Sequence, residues 1–236
     1  MKTIHIENIG EVTIRKSKRA RNVLLRISPF YGLRVTIPEY SSYKFAESVI
    51  YKKLEWLKNQ LQNHKSKFSI FEPGKTLISK NYTLQINMVD SPVLKIRTTN
   101  GIIAVDCPKN TGVNNAEIQN SIQSEIAKVL KKEAKNFLPA RVQKLAAANN
   151  FQFGKLSLRN QKTRWGSCSH NNNISLNIQL MRLSDIYIDY VILHELCHTV
   201  VKNHGIEFWK LMEKVLPAAK TIAREMRKSS PFMNAQ

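Results

Sequence analysis

Residues 194 to 198 read His-Glu-Leu-Cys-His, directly after the apolar run Tyr190-Val191-Ile192-Leu193. Four residues of α-helix turn through about 400° and rise about 6 Å, so His194 and His198 leave one face a turn apart. Two imidazoles so placed can share an ion at roughly 2.0 to 2.1 Å. Glu195 lies about 100° round from His194, beside the ion and off its coordination, where a carboxylate can take a proton from an activated water. This is the pattern of a hydrolytic zinc site. Three of the six histidines fall within eleven residues, which weighs against a buried helix whose histidines only hydrogen-bond locally.

A hydrolytic zinc keeps three protein ligands and one open position. His204, six residues beyond His198, is the expected third ligand. The metzincin signature has that spacing but carries glycine where Val201 stands. The chain is expected to bend through Lys202-Asn203, because asparagine tolerates the left-handed conformation that ends helices. Glu207, Glu213 and Glu225 are the alternative third ligands. Cys168 and Cys197 are read as packing residues, Cys197 because it precedes His198 by one position and so faces away from the ion. Zinc is expected from the ligand type, and other divalent ions also suit such imidazole sites.

Loop 159–167 bears on the substrate. Arg159, Lys162, Arg164 and Trp165 are the candidate substrate-binding residues, since three cations suit the phosphates of a nucleotide or nucleic acid, or the carboxylates and carbonyls of a peptide. The competing reading is a structural loop in which Trp165 packs under the metal helix and Gly166 permits a turn. Arg164 or a backbone amide near Trp165 is the candidate oxyanion stabiliser.

The elements that must hold these residues follow from periodicity. Residues 3 to 37 read as short strands through Ile4, Ile6 and Ile9, Val12 and Ile14, residues 22 to 27, and Leu33, Val35 and Ile37. From Ser41 to His64 the spacing of Phe45, Val49, Ile50, Leu54, Leu57 and Leu61 predicts one amphipathic helix, with Trp56 and the other aromatics near it read as packing residues in preference to a base-stacking platform. Strands resume at 75–88 and 93–105, the second run interrupted by Asn100-Gly101, the dipeptide of a two-residue hairpin turn. After Pro108 the stripe Ile118, Ile122, Ile126, Val129 and Leu130 predicts a helix that Pro139 breaks or restarts. Strands are expected at 155–159 and 174–178 around a polar loop, and helix from about Asp185. No internal repeat of 20 to 50 residues is visible.

Length and composition bound the answer. The chain has 236 residues, 42% hydrophobic and 23% charged, a globular mix that suits one large domain or two small ones. It carries 37 basic and 17 acidic side chains, for a net charge of +20 and a pI near 10.0. The excess is spread evenly: residues 1 to 72 hold 14 basic and 6 acidic groups, 73 to 150 hold 11 and 5, and 151 to 236 hold 12 and 6. Such a field favours nucleic acid, nucleotide or another polyanion. The cluster Arg15, Lys16, Lys18, Arg19 and Arg21 is a candidate phosphate-contacting edge, or a charged edge that discourages aggregation. Three cysteines without framework spacing, no secretory leader and no apolar stretch of membrane-spanning length lead us to expect a cytoplasmic protein without a membrane.

Beyond these readings, Arg164-Trp165-Gly166-Ser167-Cys168, Ile174-Ser175-Leu176-Asn177, the run from Asp189 to His198, Asn203-His204 and Phe208-Trp209 resemble the YgjP-like metallopeptidase family, a bacterial relative of the SprT and WLM zincin-like proteins. The likeness extends upstream through residues 15–19, 32–38 and 53–57. It implies an α+β protein in which a β-rich N-terminal region with an inserted helix, residues 1–110, precedes a mainly helical zincin-like catalytic domain, residues 111–236. It also implies His194, His198 and His204 as zinc ligands and Glu195 as catalytic base. The function expected is a zinc-dependent hydrolase, foremost a metallopeptidase acting on peptides. The alternatives are a metal-dependent nucleoside triphosphate pyrophosphatase, an activity on UTP attributed to the family's namesake, and a DNA-associated protease or nucleic-acid-binding protein.

Overall fold

Alternation of apolar and exposed residues builds the first sheet of the protein, seen in a computed structural model that describes residues 1–7, 9–28, 32–67, 71–161 and 163–227. Strands β1 (Lys2–Ile6), β2 (Gly10–Ser17), β3 (Leu24–Ser28) and β4 (Gly32–Pro38) are ordered β1-β2-β4-β3, with β2 and β4 parallel and the outer pairs antiparallel. Every second residue, Val12 and Ile14 on β2 and Leu33, Val35 and Ile37 on β4, is fully buried. That period-two face packs on Ala46, Ile50 and Leu57 of two helices, α1 (Tyr43–Lys52) and α2 (Leu54–Lys67). Ser42 caps α1 by accepting from the Phe45 amide at 3.1 Å.

The helix expected to run unbroken from Ser41 is therefore two, parted at Lys53, whose backbone (φ −108°, ψ 15°) leaves the helical basin. The break changes which residues face inward. Phe45 and Trp56, expected to pack, are about half exposed. The side chain of Leu61 lies outside the described residues.

A second sheet repeats the first. Strands β5 (Gly74–Leu77), β6 (Thr83–Val89), β7 (Lys95–Thr99) and β8 (Ile102–Pro108) are ordered β5-β6-β8-β7, again with a parallel central pair and antiparallel flanks. Registers match residue by residue: Val12 opposite Leu33 corresponds to Leu84 opposite Ile103, Ile14 opposite Val35 to Ile86 opposite Val105, and Ser17 opposite Pro38 to Val89 opposite Pro108. The turn between β7 and β8 is the expected Asn100-Gly101, both with positive φ (49° and 77°).

The following helix α3 (Ala116–Ala148) continues the correspondence. Ile118, Ile122 and Val129, all buried, stand 72 positions after Ala46, Ile50 and Leu57. Pro139 sits inside α3 without ending it. Its ring removes one i→i−4 bond, while Leu138 and Val142 on either side are fully buried.

Beyond α3 the chain forms β9 (Leu156–Arg159), β10 (Gly166–Cys168) and β11 (Ile174–Asn177) in the order β10-β11-β9. A 3₁₀ turn (Ile178–Arg182) follows, then α4 (Asp185–Cys197), α5 (Ile206–Val215) and α6 (Ala219–Met226). The segment read as an uninterrupted polar loop thus contains β10. Gly-Ser-Cys is too short and too polar to show a period. The chain divides into two compact units, Met1–Ile70 with Asn115–Glu117, and Phe71–Asn114 with Ile118–Gln236, each with its own apolar core. Among the described residues no helix is long and apolar enough to cross a membrane.

Candidate metal centre

Helix α4 is apolar on nearly every side: Ile188, Val191, Ile192, Leu193, Leu196 and Cys197 are all buried. A helix apolar all round belongs in a core, and this one carries His194 and Glu195 in with it. Half-buried Arg141 of α3 grips Asp189 of α4 through two side-chain nitrogens, Nε at 2.6 Å, tying the site helix to the long helix by a bidentate ion pair.

At its C-terminal end α4 stops on His198. The amides of Thr199 and Val201 turn back to the Leu196 and Cys197 carbonyls at 2.9 Å, and the Thr199 hydroxyl takes the same Leu196 carbonyl at 2.7 Å. No left-handed residue is used. The non-glycine residues with positive φ among those described are Asn100, Asn150 and Asn172, so the expected left-handed bend at Asn203 is not how the chain turns. Asn203 instead accepts the Gly205 amide through its side chain at 3.1 Å, leading into α5.

This bend brings three imidazoles together. The Nε2 atoms of His194, His198 and His204 lie 3.2 Å (194–198), 3.1 Å (198–204) and 3.0 Å (194–204) apart. Phe208, fully buried on α5, forms the floor, its ring centroid 4.9, 4.5 and 4.8 Å from those of His194, His198 and His204. The alternative ligands are engaged elsewhere: Glu207 with Lys210 and Glu213 with Lys220, each at 2.9 Å, and Glu225 with the Tyr187 hydroxyl at 2.9 Å. Among the described residues the three histidines are the group of potential ligands that converges.

The donor set fits a divalent cation. His198 Nδ1 faces the Val201 carbonyl at 3.0 Å. A carbonyl only accepts, so Nδ1 carries the hydrogen and Nε2 presents a lone pair to its two neighbours. Burial, reinforced by the other two rings, pushes His194 down to about 3, and burial lowers His198 as well, against the opposing pull of the Val201 carbonyl. With Nε2 of His198 bare, no placement of hydrogens on the other two Nε2 atoms satisfies all three pairs. A tetrahedral centre at about 2.0–2.1 Å separates ligand nitrogens by roughly 3.3 Å, close to the spacing found. His194 Nδ1 is buried without a hydrogen-bond partner.

Glu195 is buried, and desolvation raises its carboxyl to about 8, opposed by the Arg164 charge. It shares with His194, His204, Trp165, Gly166 and Arg227 the wall of a cavity of about 500 Å³. Of the four residues expected on the substrate, Trp165 lines this cavity, Arg164 is exposed and acts on Glu195 by charge, and Arg159 is exposed at the end of β9 outside the lining. Lys162 lies outside the described residues. Cys197 is fully buried, its thiol pushed up to about 12 by desolvation.

Four residues gain a part that spacing did not reveal. Gly166 has no positive φ and makes no turn; it opens β10 where a Cβ would stand 2.6 Å from Glu195 Oε1. Asn177, almost wholly buried, donates from Nδ2 to the carbonyls of Gln161 at 2.7 Å and Arg164 at 2.9 Å, holding the loop that ends in Trp165. Lys202 Nζ reaches the Ser169 carbonyl at 3.1 Å, Asn172 Oδ1 at 2.5 Å and Cys168 Sγ at 3.9 Å, which ties the loop bearing His204 to the β10–β11 turn. Arg227 is the cation that reaches the cavity wall. Gly166 and Asn177 stand in motifs that carry the family resemblance and Lys202 in the expected bend, but their roles depend on contacts between distant segments, and Arg227 left no sign in the sequence.

The YgjP-like metallopeptidase domain matches residues 21–229. Two solved structures are also similar. The metallopeptidase zymogen abylysin of Pyrococcus abyssi is 28% identical over 37% of this chain and 90% of its own, with a TM-score of 0.33. The metallopeptidase zymogen jannalysin of Methanocaldococcus jannaschii is 22% identical over the same shares, also with a TM-score of 0.33. No curated protein matches the chain. The family match supports a metal-dependent hydrolase that uses a divalent metal and takes peptide as its substrate class. With a domain match that spans all but the first twenty and last seven residues, this chain belongs to the YgjP-like metallopeptidase family.

Proposed function

We propose that the protein is a zinc peptidase in which His194, His198 and His204 hold the ion and Glu195 is the general base. The observation that carries this is the convergence of three Nε2 atoms within 3.2 Å of one another beside a buried carboxylate. Bound there, zinc would supply Lewis acidity, polarising a scissile carbonyl and easing deprotonation of a water. Glu195 accepts the proton of the attacking water on a carboxylate oxygen and returns it to the departing amine. Burial makes Glu195 hold its proton more tightly than a free carboxyl and the Arg164 charge offsets only part of this; the charge of a cation held by the three histidines would further favour the ionised form that a base requires. Phe208 fixes the plane of the His198 ring by stacking at 26°, and the Val201 carbonyl fixes its tautomer. Trp165 and Gly166 line the same cavity beside Glu195, where a peptide would lie.

Peptide suits the cavity better than a nucleoside triphosphate. Among the described lining residues there is one Lys or Arg, Arg227, whereas a triphosphate calls for several cations or bidentate arginines around it. Replacing Glu195 by Gln is the test. Zinc should remain bound while peptide cleavage falls by at least about 10³-fold; full activity in that variant removes Glu195 from the mechanism.

A further inference from the structure

The repeated modules provide an internal control for the outer face of α1 and α2. In the second module the positions equivalent to Tyr40, Phe45, Tyr51 and Trp56 are Asn110, Glu117, Gln123 and Lys128, all polar. The fold therefore does not require aromatic residues there. Yet in the first module all four are aromatic and open to solvent: Tyr40 84%, Phe45 52%, Tyr51 58% and Trp56 50% exposed. Among the described residues they account for four of the five exposed aromatic side chains.

Charge says what such a face would attract. Residues 1 to 70 hold 14 basic and 5 acidic side chains, and of the acids near the patch, Glu47 is paired with Lys2 and Glu55 with Lys58. Lys44, Lys52 and Lys53 are exposed among the aromatics, with Lys53 Nζ 5.8 Å from the centroid of the Trp56 ring. Tyr51 and Trp56 line one hollow of about 510 Å³ together with Lys52, Lys53, Leu54 and Glu55. A second copy of a chain with net charge +20 is repelled from such a surface.

We infer that Tyr51 and Trp56, with Lys52 and Lys53, form a platform for single-stranded polynucleotide, the rings stacking on unpaired bases and the ammonium groups meeting the phosphates. Aromatic faces accept any base, and lysines follow the backbone without reading sequence. The exposed side chains that form the platform are rings and ammonium groups, which do not tell ribose from deoxyribose, so DNA and RNA single strands bind alike. A duplex hides the base faces and keeps only the phosphate contribution. This inference is independent of the metal centre.

Fluorescence anisotropy of labelled oligo(dT) with the intact chain at low salt tests it. Oligo(U) should bind within a few-fold of oligo(dT), and a duplex of equal length should compete poorly. The double variant Tyr51→Ala, Trp56→Ala, which leaves net charge unchanged, should lose about tenfold or more in affinity, since stacking contributes roughly 1–3 kcal/mol per base. Oligo(dT) should also quench tryptophan fluorescence in the unaltered protein and clearly less in Trp56→Phe. That comparison decides the matter if thermal melting shows the double variant to be unfolded. Undetectable binding at low salt, equal affinity of the folded double variant, unchanged quenching in Trp56→Phe, equal competition by duplex or heparin, or a dimer that the double variant abolishes would each overturn the inference.

Discussion

The Cβ that Gly166 lacks would lie 2.6 Å from Oε1 of Glu195 and 2.8 Å from its Cγ. A glycine in extended backbone, with no conformational need to be one, is thus what lets β10 press against the carboxylate beside the histidine cluster. Gly166→Ala should push Glu195 from its place. The expected outcome is retained metal, a turnover number reduced by about 10²-fold, and a loss of about 1–3 kcal/mol in stability from overpacking. Urea denaturation and steady-state cleavage measure the two effects separately.

Asn177 should matter to both stability and the cavity wall. Its Nδ2 serves two carbonyls and its Oδ1 accepts the Gln179 amide at 3.1 Å. Asn177→Ala leaves buried groups unpaired and should cost about 2–3 kcal/mol. Asn177→Asp keeps the acceptor and loses both donations, so it should also destabilise, as read by shifts in the urea midpoint.

Lys202 holds no ligand position but braces the loop between two of the histidines. Lys202→Met should weaken metal affinity by about tenfold, measured by chelator competition, with turnover per bound metal little changed. Lys202→Arg should restore part of the affinity. If affinity does not move in Lys202→Met, the brace has no part in metal binding.

Metal removal should register as lost stability. A ligand that binds only the folded state raises the melting temperature with its concentration, and bound metal adds its binding free energy to folding. Stripping the protein with a chelator should lower its melting temperature by several degrees, and His204→Ala should show no such difference between metal-free and metal-supplied samples.

Much of the centre was readable in the sequence because it depends on local helical arithmetic. The separation of His194 and His198 sets one face, and Asn100-Gly101 marks its own turn. What remained hidden depends on contacts between distant segments. Gly166 reads as a turn residue until Glu195 is seen against it, and β10 is three polar residues made a strand only by pairing with β11. Pro139 reads as a break, yet tertiary packing on both sides keeps α3 continuous. The duplication is invisible for a different reason. Its equivalent core positions agree in burial more than in identity: Ile14 with Ile86, Val35 with Val105 and Ile50 with Ile122 match, but Ala46 with Ile118 and Ile37 with Cys107 do not, and its period of 70 to 72 residues exceeds that of common sequence repeats.

The central claim is that His194, His198 and His204 hold one catalytic metal ion between them. Elemental analysis of the purified chain beside its three single alanine variants tests that most directly. One equivalent of a divalent metal per chain, zinc under the proposal, lost on changing any of the three histidines while circular dichroism shows the fold intact, is the result the proposal predicts. A full equivalent retained in folded His194→Ala or His198→Ala would place the metal elsewhere and contradict it.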